Sequence, residues 1–309
     1  MRLLLSALVG LVIVGVVLVG LEAMTVRSEE RRFPPPGTFI DGSSGRLHIQ
    51  CAGEESAPLV ILEAGAGASS LDWATMFDAL GDDLRVCAYD RAGFGWSPRG
   101  PRPRDFTALE ADFDAFVDGV SEDEAFVLAG HSFGGLLVQA YAARQPERVQ
   151  GLVLVDALDA VLAEEMAQTN GGSVAYVRAG AVATVFGVPR RLGLVPQPAG
   201  TPAEVAGAMK ARTLTRSTML TAADESEGLM SVVDAVRNRP SLSGDFPVAV
   251  ISRKPSEGGG AFEDQWAAAQ ARLAELTDAT THQVAPSSNH HVQFSSPDLV
   301  ADAIRKMTR

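Results

Sequence analysis

The sequence predicts an α/β protein, a mostly parallel sheet of eight strands with helices on both faces. Three observations carry that prediction. Short apolar, β-branched runs recur along the chain, and helical patterns separate most of them. Between the sixth and seventh runs lie about ninety residues with helical patterns and no strand. Runs of four to six apolar residues are how strands buried on both faces read, and a helix between successive strands is what parallel pairing requires.

The elements follow in order. Leu3–Leu21 is 19 residues without a charge, interrupted only by Ser6, Gly10, Gly15 and Gly20. About 20 apolar residues cross a bilayer, whereas a signal-peptide core is about 7–15 long and ends at a small-x-small cleavage site. Leu21-Glu22-Ala23 is a poor site of that kind. Residues 1–24 are therefore expected to be an uncleaved membrane anchor, a cleaved signal being the alternative. Arg27, Arg31 and Arg32 after the run outnumber Arg2 before it, which favours a cytoplasmic domain by the positive-inside rule. The signal-like layout favours an extracytoplasmic domain, and that is the expectation adopted. Residues 25–37, charged and then Pro-rich (Phe33-Pro34-Pro35-Pro36-Gly37), are expected to be a stiff spacer.

Strand-like runs follow near Thr38–Asp41 and at Leu47–Cys51, Leu59–Leu62, Val86–Tyr89, Phe126–Ala129, Leu152–Val155, Val248–Ile251 and His282–Ala285. The first two read as a hairpin across Gly42-Ser43-Ser44-Gly45. Helical patterns fall at Leu71–Leu80, Phe106–Val120, Gly135–Gln145, Phe262–Leu276 and Pro297–Met307. The chain thus divides into a core of residues 38–156 and 247–309 and a helical cap of residues 157–246.

Composition narrows the function classes. With 46% apolar residues in 309, the chain can build a sizeable core and is not disordered. Two cysteines exclude a disulfide-stapled miniprotein. A net charge of −12 with no basic block argues against nucleic acid as a partner. The positive mean hydropathy, +0.10, comes from the N-terminal run.

The chemistry concentrates at Phe126-Val127-Leu128-Ala129-Gly130-His131-Ser132-Phe133-Gly134-Gly135. This is G-x-S-x-G between a strand and a helix. A nucleophile on such a turn is strained, and its neighbours at −2 and +2 pack too closely for side chains. The helix N-terminus offers free N–H groups to a developing oxyanion. Five histidines are available as a base. His48 and His282 lie in strands and His131 sits inside the turn, which leaves His290 and His291 on the loop after the last strand. No metal-ligand spacing and no dinucleotide fingerprint is present, so no cofactor is expected.

With these motifs the chain resembles the α/β-hydrolase family from Gly37 to Arg309. Leu59-Val60-Ile61-Leu62-Glu63-Ala64-Gly65-Ala66-Gly67 resembles the family's oxyanion loop, with Ala64 where many relatives have His. Asp90-Arg91-Ala92-Gly93-Phe94-Gly95-Trp96-Ser97 resembles its turn after the fourth strand. Ser288-Asn289-His290-His291 followed by Pro297-Asp298 resembles its histidine loop and last helix. The resemblance implies the α/β-hydrolase fold with its cap inserted after strand 6. It also implies Ser132 as nucleophile, His290 rather than His291 as base, and the Ala66 and Phe133 N–H groups as oxyanion donors. Most relatives place the acid just beyond the seventh strand, where Ser252-Arg253-Lys254 offers none. Lipase-like relatives place it at the end of the sixth, which implies Asp156, with Glu257, Asp159, Glu263 and Asp264 as alternatives. Glu63 and Arg91 follow neighbouring strands of this fold and are expected to pair. Cys51 and Cys87 also fall on neighbouring strands and are expected to be two buried free thiols, a bridge between them being the alternative that export would allow.

The function implied is a serine hydrolase cleaving an ester, or a thioester or amide, of a small hydrophobic substrate. Met166, Met209, Met219, Leu220, Leu229 and Met230 are apolar cap residues, some of which should line its pocket. Serine at the elbow argues against epoxide hydrolase or haloalkane dehalogenase activity, where relatives use Asp. Acyl transfer or cofactor-free perhydrolysis on the same residues is the alternative, and a non-catalytic ligand-binding homologue is the reading from another class.

Overall fold

The computed structural model describes residues 2–308 apart from 170, 195, 196, 214, 240, 241 and 243–245. The first helix, α1 (Arg2–Arg32), is long and apolar enough to cross a membrane. It outruns the apolar segment that predicts it, so the spacer expected over residues 25–37 is helical through Arg32. The reason is local. Glu29, Glu30, Arg31 and Arg32 are good helix formers, and only Pro34-Pro35-Pro36 removes the donors a helix needs.

The core strands begin with β1 (Thr38–Gly42), β2 (Gly45–Ala52) and β3 (Leu59–Glu63). Then come α2 (Ala74–Leu80), β4 (Arg85–Tyr89), α3 (Phe106–Val120), β5 (Phe126–His131), α4 (Phe133–Arg144) and β6 (Val149–Val155). The inserted segment holds α5 (Ala160–Thr169), α6 (Gly171–Val185), α7 (Val188–Arg191), α8 (Ala203–Thr213) and α9 (Arg216–Asn238). The core resumes with β7 (Val248–Ser252), α10 (Gly260–Leu273), β8 (Thr280–Val284), α11 (Val292–Ser295) and α12 (Pro297–Met307).

One eight-stranded sheet runs in the order β1-β2-β4-β3-β5-β6-β7-β8. β1 and β2 form the expected hairpin, β2 meets β4 antiparallel, and the remaining pairs are parallel. Alternate strand residues face opposite layers. Ile61, Leu128, Leu154 and Val250 meet Phe116 of α3 and Tyr141 of α4. Leu62, Ala129, Val153 and Ile251 meet Met76 of α2 and Ile304 of α12. Leu162, Leu229 and Val232 of the insertion close over Leu136 and Leu137 of α4. The cap therefore lies over the carboxyl ends of the parallel strands, where open α/β sheets place their ligands.

One expectation is corrected. Cys51 and Cys87 are not free thiols but a disulfide. Antiparallel pairing of β2 with β4 sets the two residues directly opposite each other, with Cα atoms 4.1 Å apart. Strand adjacency was readable from the resemblance, but this register depends on where the hairpin folds back against β4.

Candidate active site

β5 ends at His131 and α4 begins at Phe133, which leaves Ser132 alone on the turn with φ 52° and ψ −120°. A non-glycine residue there is strained and stays only where its surroundings over-determine it. Here the Ser132 N–H donates to Val155 O (3.2 Å), and the Leu158 N–H donates to Ser132 O (3.0 Å). The flanking glycines make the approach possible. A Cβ on Gly134 would sit 2.5 Å from Glu63 O, and one on Gly130 would sit 2.6 Å from Val138 Cγ2.

Ser132 borders a cavity of about 220 Å3 whose wall is mainly apolar, with Leu158, Met166, Leu229 and Trp266 among its lining. Of the expected pocket residues, Met166 and Leu229 reach it. Ala66 and Phe133 also line it, and neither backbone N–H has a partner among the described residues. Phe133 is the first residue of α4, so its N–H has no intrahelical acceptor.

His290 Nδ1 donates to Asp156 Oδ2 across 2.6 Å. Asp156 follows β6 with φ 40° and is fully buried. Its Oδ1 accepts from Trp266 Nε1 (3.0 Å) and the Arg253 N–H (3.1 Å), and Arg253 Nε lies 3.1 Å from Oδ2. Both oxygens of the carboxylate are thus held. The other candidate acids lie elsewhere. Glu257 and Asp264 are exposed. Asp159 accepts from the Leu162 N–H and pairs with Arg272, and Glu263 pairs with Arg253.

The remaining histidines separate by environment. His291 Nε2 is 3.6 Å from Asp72 Oδ1, and burial together with neighbouring His290 brings its pKa down to about 4. Burial, His290 and His291 hold His131 well below the ordinary imidazole value. Neutral His131 donates from Nε2 to the His290 carbonyl (3.0 Å), bracing the loop that carries His290. His48 bridges Asp90 and the Pro36 carbonyl, and His282 reaches Ser252 from an exposed strand.

The expected Glu63–Arg91 pair is present, with Arg91 Nη1 2.6 Å from Glu63 Oε1. Arg91 also donates to the carbonyls of Ala64 and Gly65, both at 2.8 Å, and to Glu225 of α9 through Nε (3.0 Å) and Nη2 (3.2 Å). Its five N–H groups therefore tie the oxyanion loop to the cap. Burial outweighs Arg91 and raises the Glu63 pKa from 4.5 to about 7. A carboxyl raised in the folded state favours folding below its unfolded pKa and loses that contribution as pH rises through the folded value. Thermal melts of Glu63→Gln should therefore decline less between pH 4.5 and 7 than those of the parent chain. Parallel pH profiles would contradict this.

Three functional contacts were missed in the sequence: Arg253, Trp266 and Glu225. Arg253 had a signal. It stands just after β7, where the resemblance leads one to seek an acid, and supplies that acid's cation instead. Trp266 and Glu225 sit on helices whose rotation about the core no local pattern sets.

Comparison with known proteins agrees with this architecture. A family model described as alpha/beta hydrolase fold matches residues 57–192. The chain is similar to a 1-acylglycerol-3-phosphate O-acyltransferase of Arabidopsis thaliana, 38% identical over 136 residues, which is 39% of this chain and 32% of the relative. It is also similar to a (lyso)-N-acylphosphatidylethanolamine lipase of Mus musculus, 35% identical over 106 residues, 33% of this chain and 31% of the relative. The match thus spans about a third of each relative's length. Among solved structures, the enol-lactonase of Burkholderia xenovorans LB400 superposes with a TM-score of 0.62 at 21% identity, covering 87% of this chain and 99% of that one. At that identity the likeness is one of fold.

Proposed function

The chain is an α/β-hydrolase-fold protein, and from that premise we propose that it is a serine hydrolase cleaving carboxylic esters of apolar acyl groups. The observation that carries the reading is the His290–Asp156 hydrogen bond at 2.6 Å, at the same strand ends as a strained Ser132 that borders an apolar cavity. Asp156 fixes the His290 tautomer with hydrogen on Nδ1, which leaves Nε2 as the proton acceptor. Ser132 Oγ attacks the acyl carbon and its proton passes to Nε2. The oxyanion accepts from the Ala66 and Phe133 N–H groups. His290 then protonates the departing alcohol, and water releases the acyl group by the same route. His131 and His291, both held below the ordinary imidazole pKa, leave the cation that forms in the reaction to His290, the one of these three histidines that touches Asp156.

Purified chain should hydrolyse 4-nitrophenyl butyrate, and Ser132→Ala should fall to within tenfold of the residual rate set by binding and oxyanion contacts, a loss of about 10^4-fold or more. A variant retaining ordinary turnover would contradict the reading. Acyl transfer is the second reading, and the similarity to the plant acyltransferase favours it. Products distinguish the two, since free acid marks hydrolysis and a new ester formed on an added lysophospholipid marks transfer.

We propose further that the domain lies outside the cytoplasm on the α1 anchor. The Cys51–Cys87 bond supports that side, because such bonds persist in oxidising compartments.

A further inference from the structure

One face of α1 packs against the rest of the protein. Gly15, Leu18, Glu22, Thr25, Val26 and Glu29 are partly or fully buried, whereas the other residues from Leu3 to Arg32 are exposed. Their three- and four-residue spacing marks a single helical stripe. Its polar part is held by ion pairs. Glu22 meets Arg190 (3.0 Å) and Arg191 (3.2 Å), and Glu29 meets Arg190 (2.7 Å). Its apolar part reaches further. A Cβ built on Gly15 would lie 3.7 Å from the Phe186 ring, at the junction of α6 and α7.

Gly15 is inside the uncharged run, seven residues from Glu22, or about 10 Å along the helix axis. A bilayer crossed by Leu3–Leu21 would therefore meet the α6–α7 junction as well, about 10 Å past the level of Glu22, the depth at which interfacial segments bury their apolar face. The side chains around that junction suit such a setting. Val182, Leu192 and Leu194 are each more than half exposed, and Val188 is exposed beside them. The two arginines between these residues have their charges met by carboxylates of α1. Apolar side chains open to water on a segment held against a membrane-length helix form one continuous apolar surface.

We propose that the tip of the cap, formed by Phe186, Val188, Leu192 and Leu194, is a membrane-docking surface seated in the leaflet adjoining the catalytic domain. α9 connects that surface to the site. Its first residues, Arg216 and Ser217, border the groove beside α1, and Ala222, Ser226 and Leu229 of the same helix line the cavity at Ser132. The substrate class that follows is an amphiphilic ester resident in that leaflet. This last step rests on the serine-hydrolase reading, whereas the docking does not.

The two native cysteines are bonded to each other, so one introduced cysteine can be labelled alone. Full-length Leu192→Cys and Leu194→Cys, carrying an NBD fluorophore, would be reconstituted in phosphatidylcholine vesicles, with Val284→Cys on the exposed edge strand as the control. Docking predicts that lipids brominated in the acyl chain quench the labels at 192 and 194 more than aqueous iodide does, with the reverse at 284. Quenching at 192 and 194 that matches the control overturns the proposal, as does a chain that fails to float with the vesicles. In the same vesicles, the Leu192→Glu/Leu194→Glu double variant should hydrolyse an embedded long-acyl ester at least about tenfold more slowly, with a short soluble ester unaffected. Equal loss on both esters overturns the leaflet substrate. Bromine quenching in a chain that cleaves no ester would uphold the docking and sink the hydrolase reading.

Discussion

Asp156→Asn should lower kcat on a neutral acyl ester by about ten-thousand-fold while the chain remains folded. The size of the effect follows from the hydrogen bond it breaks. As a carboxylate, Asp156 accepts from His290 Nδ1–H, and in the proposed reaction that leaves Nε2 free to take the Ser132 proton. An amide that turns its NH2 toward Nδ1 moves the ring proton to Nε2, the wrong nitrogen for a base. The fold should survive because Arg253 keeps a second partner in Glu263, 2.6 Å away. Steady-state kinetics of Asp156→Asn beside Glu257→Gln checks the assignment. Glu257 is exposed and its change should leave turnover as it was. A loss of less than tenfold in Asp156→Asn would remove it from the reaction.

The second large effect is on stability. Arg91→Met should destabilise the chain by about 3–5 kcal/mol, because removing one partner of a buried ion pair leaves the other charged and unpaired. Here two carboxylates, Glu63 and Glu225, lose their cation at once, and the Ala64 and Gly65 carbonyls lose their donors. Arg91→Lys should rescue little, since three ammonium donors cannot replace five held in a plane. Urea unfolding of the three chains measures this. The oxyanion loop and the cap share the lost contacts, so kcat should fall together with the midpoint. An unfolding free energy within about 1 kcal/mol of the parent chain would show that the latch carries no stability.

Much of this architecture was legible in the residues, and the failures have physical causes. α3 and α12 span Phe106–Val120 and Pro297–Met307 as their helical patterns predict, and both starts are local effects, an Asp105 cap and a proline in the first turn. The apolar strands were visible because a strand buried on both faces cannot hide its composition. The disulfide was not, because pairing register is a property of two distant segments. The charge of residues 25–32 suggests a spacer, yet glutamate and arginine at a helix end are good helix formers. The choice among five acids stayed open for a similar reason. Asp156 and His290 are 134 positions apart, and nothing between them records a distance. Geometry separates Asp156 from Glu257, Asp159, Glu263 and Asp264 by contact alone, and Arg253, which the sequence offered only as a missing acid, is part of what holds it.

The most direct test of the central claim is covalent. A fluorophosphonate reacts with a serine that a neighbouring base deprotonates and an oxyanion site stabilises, and it ignores ordinary surface hydroxyls. Incubated with the intact chain and mapped by peptide mass, one phosphonyl group should be found on Ser132, its rate of addition falling sharply in Asp156→Asn. Modification of another residue, or none at all in a folded chain, would contradict the account.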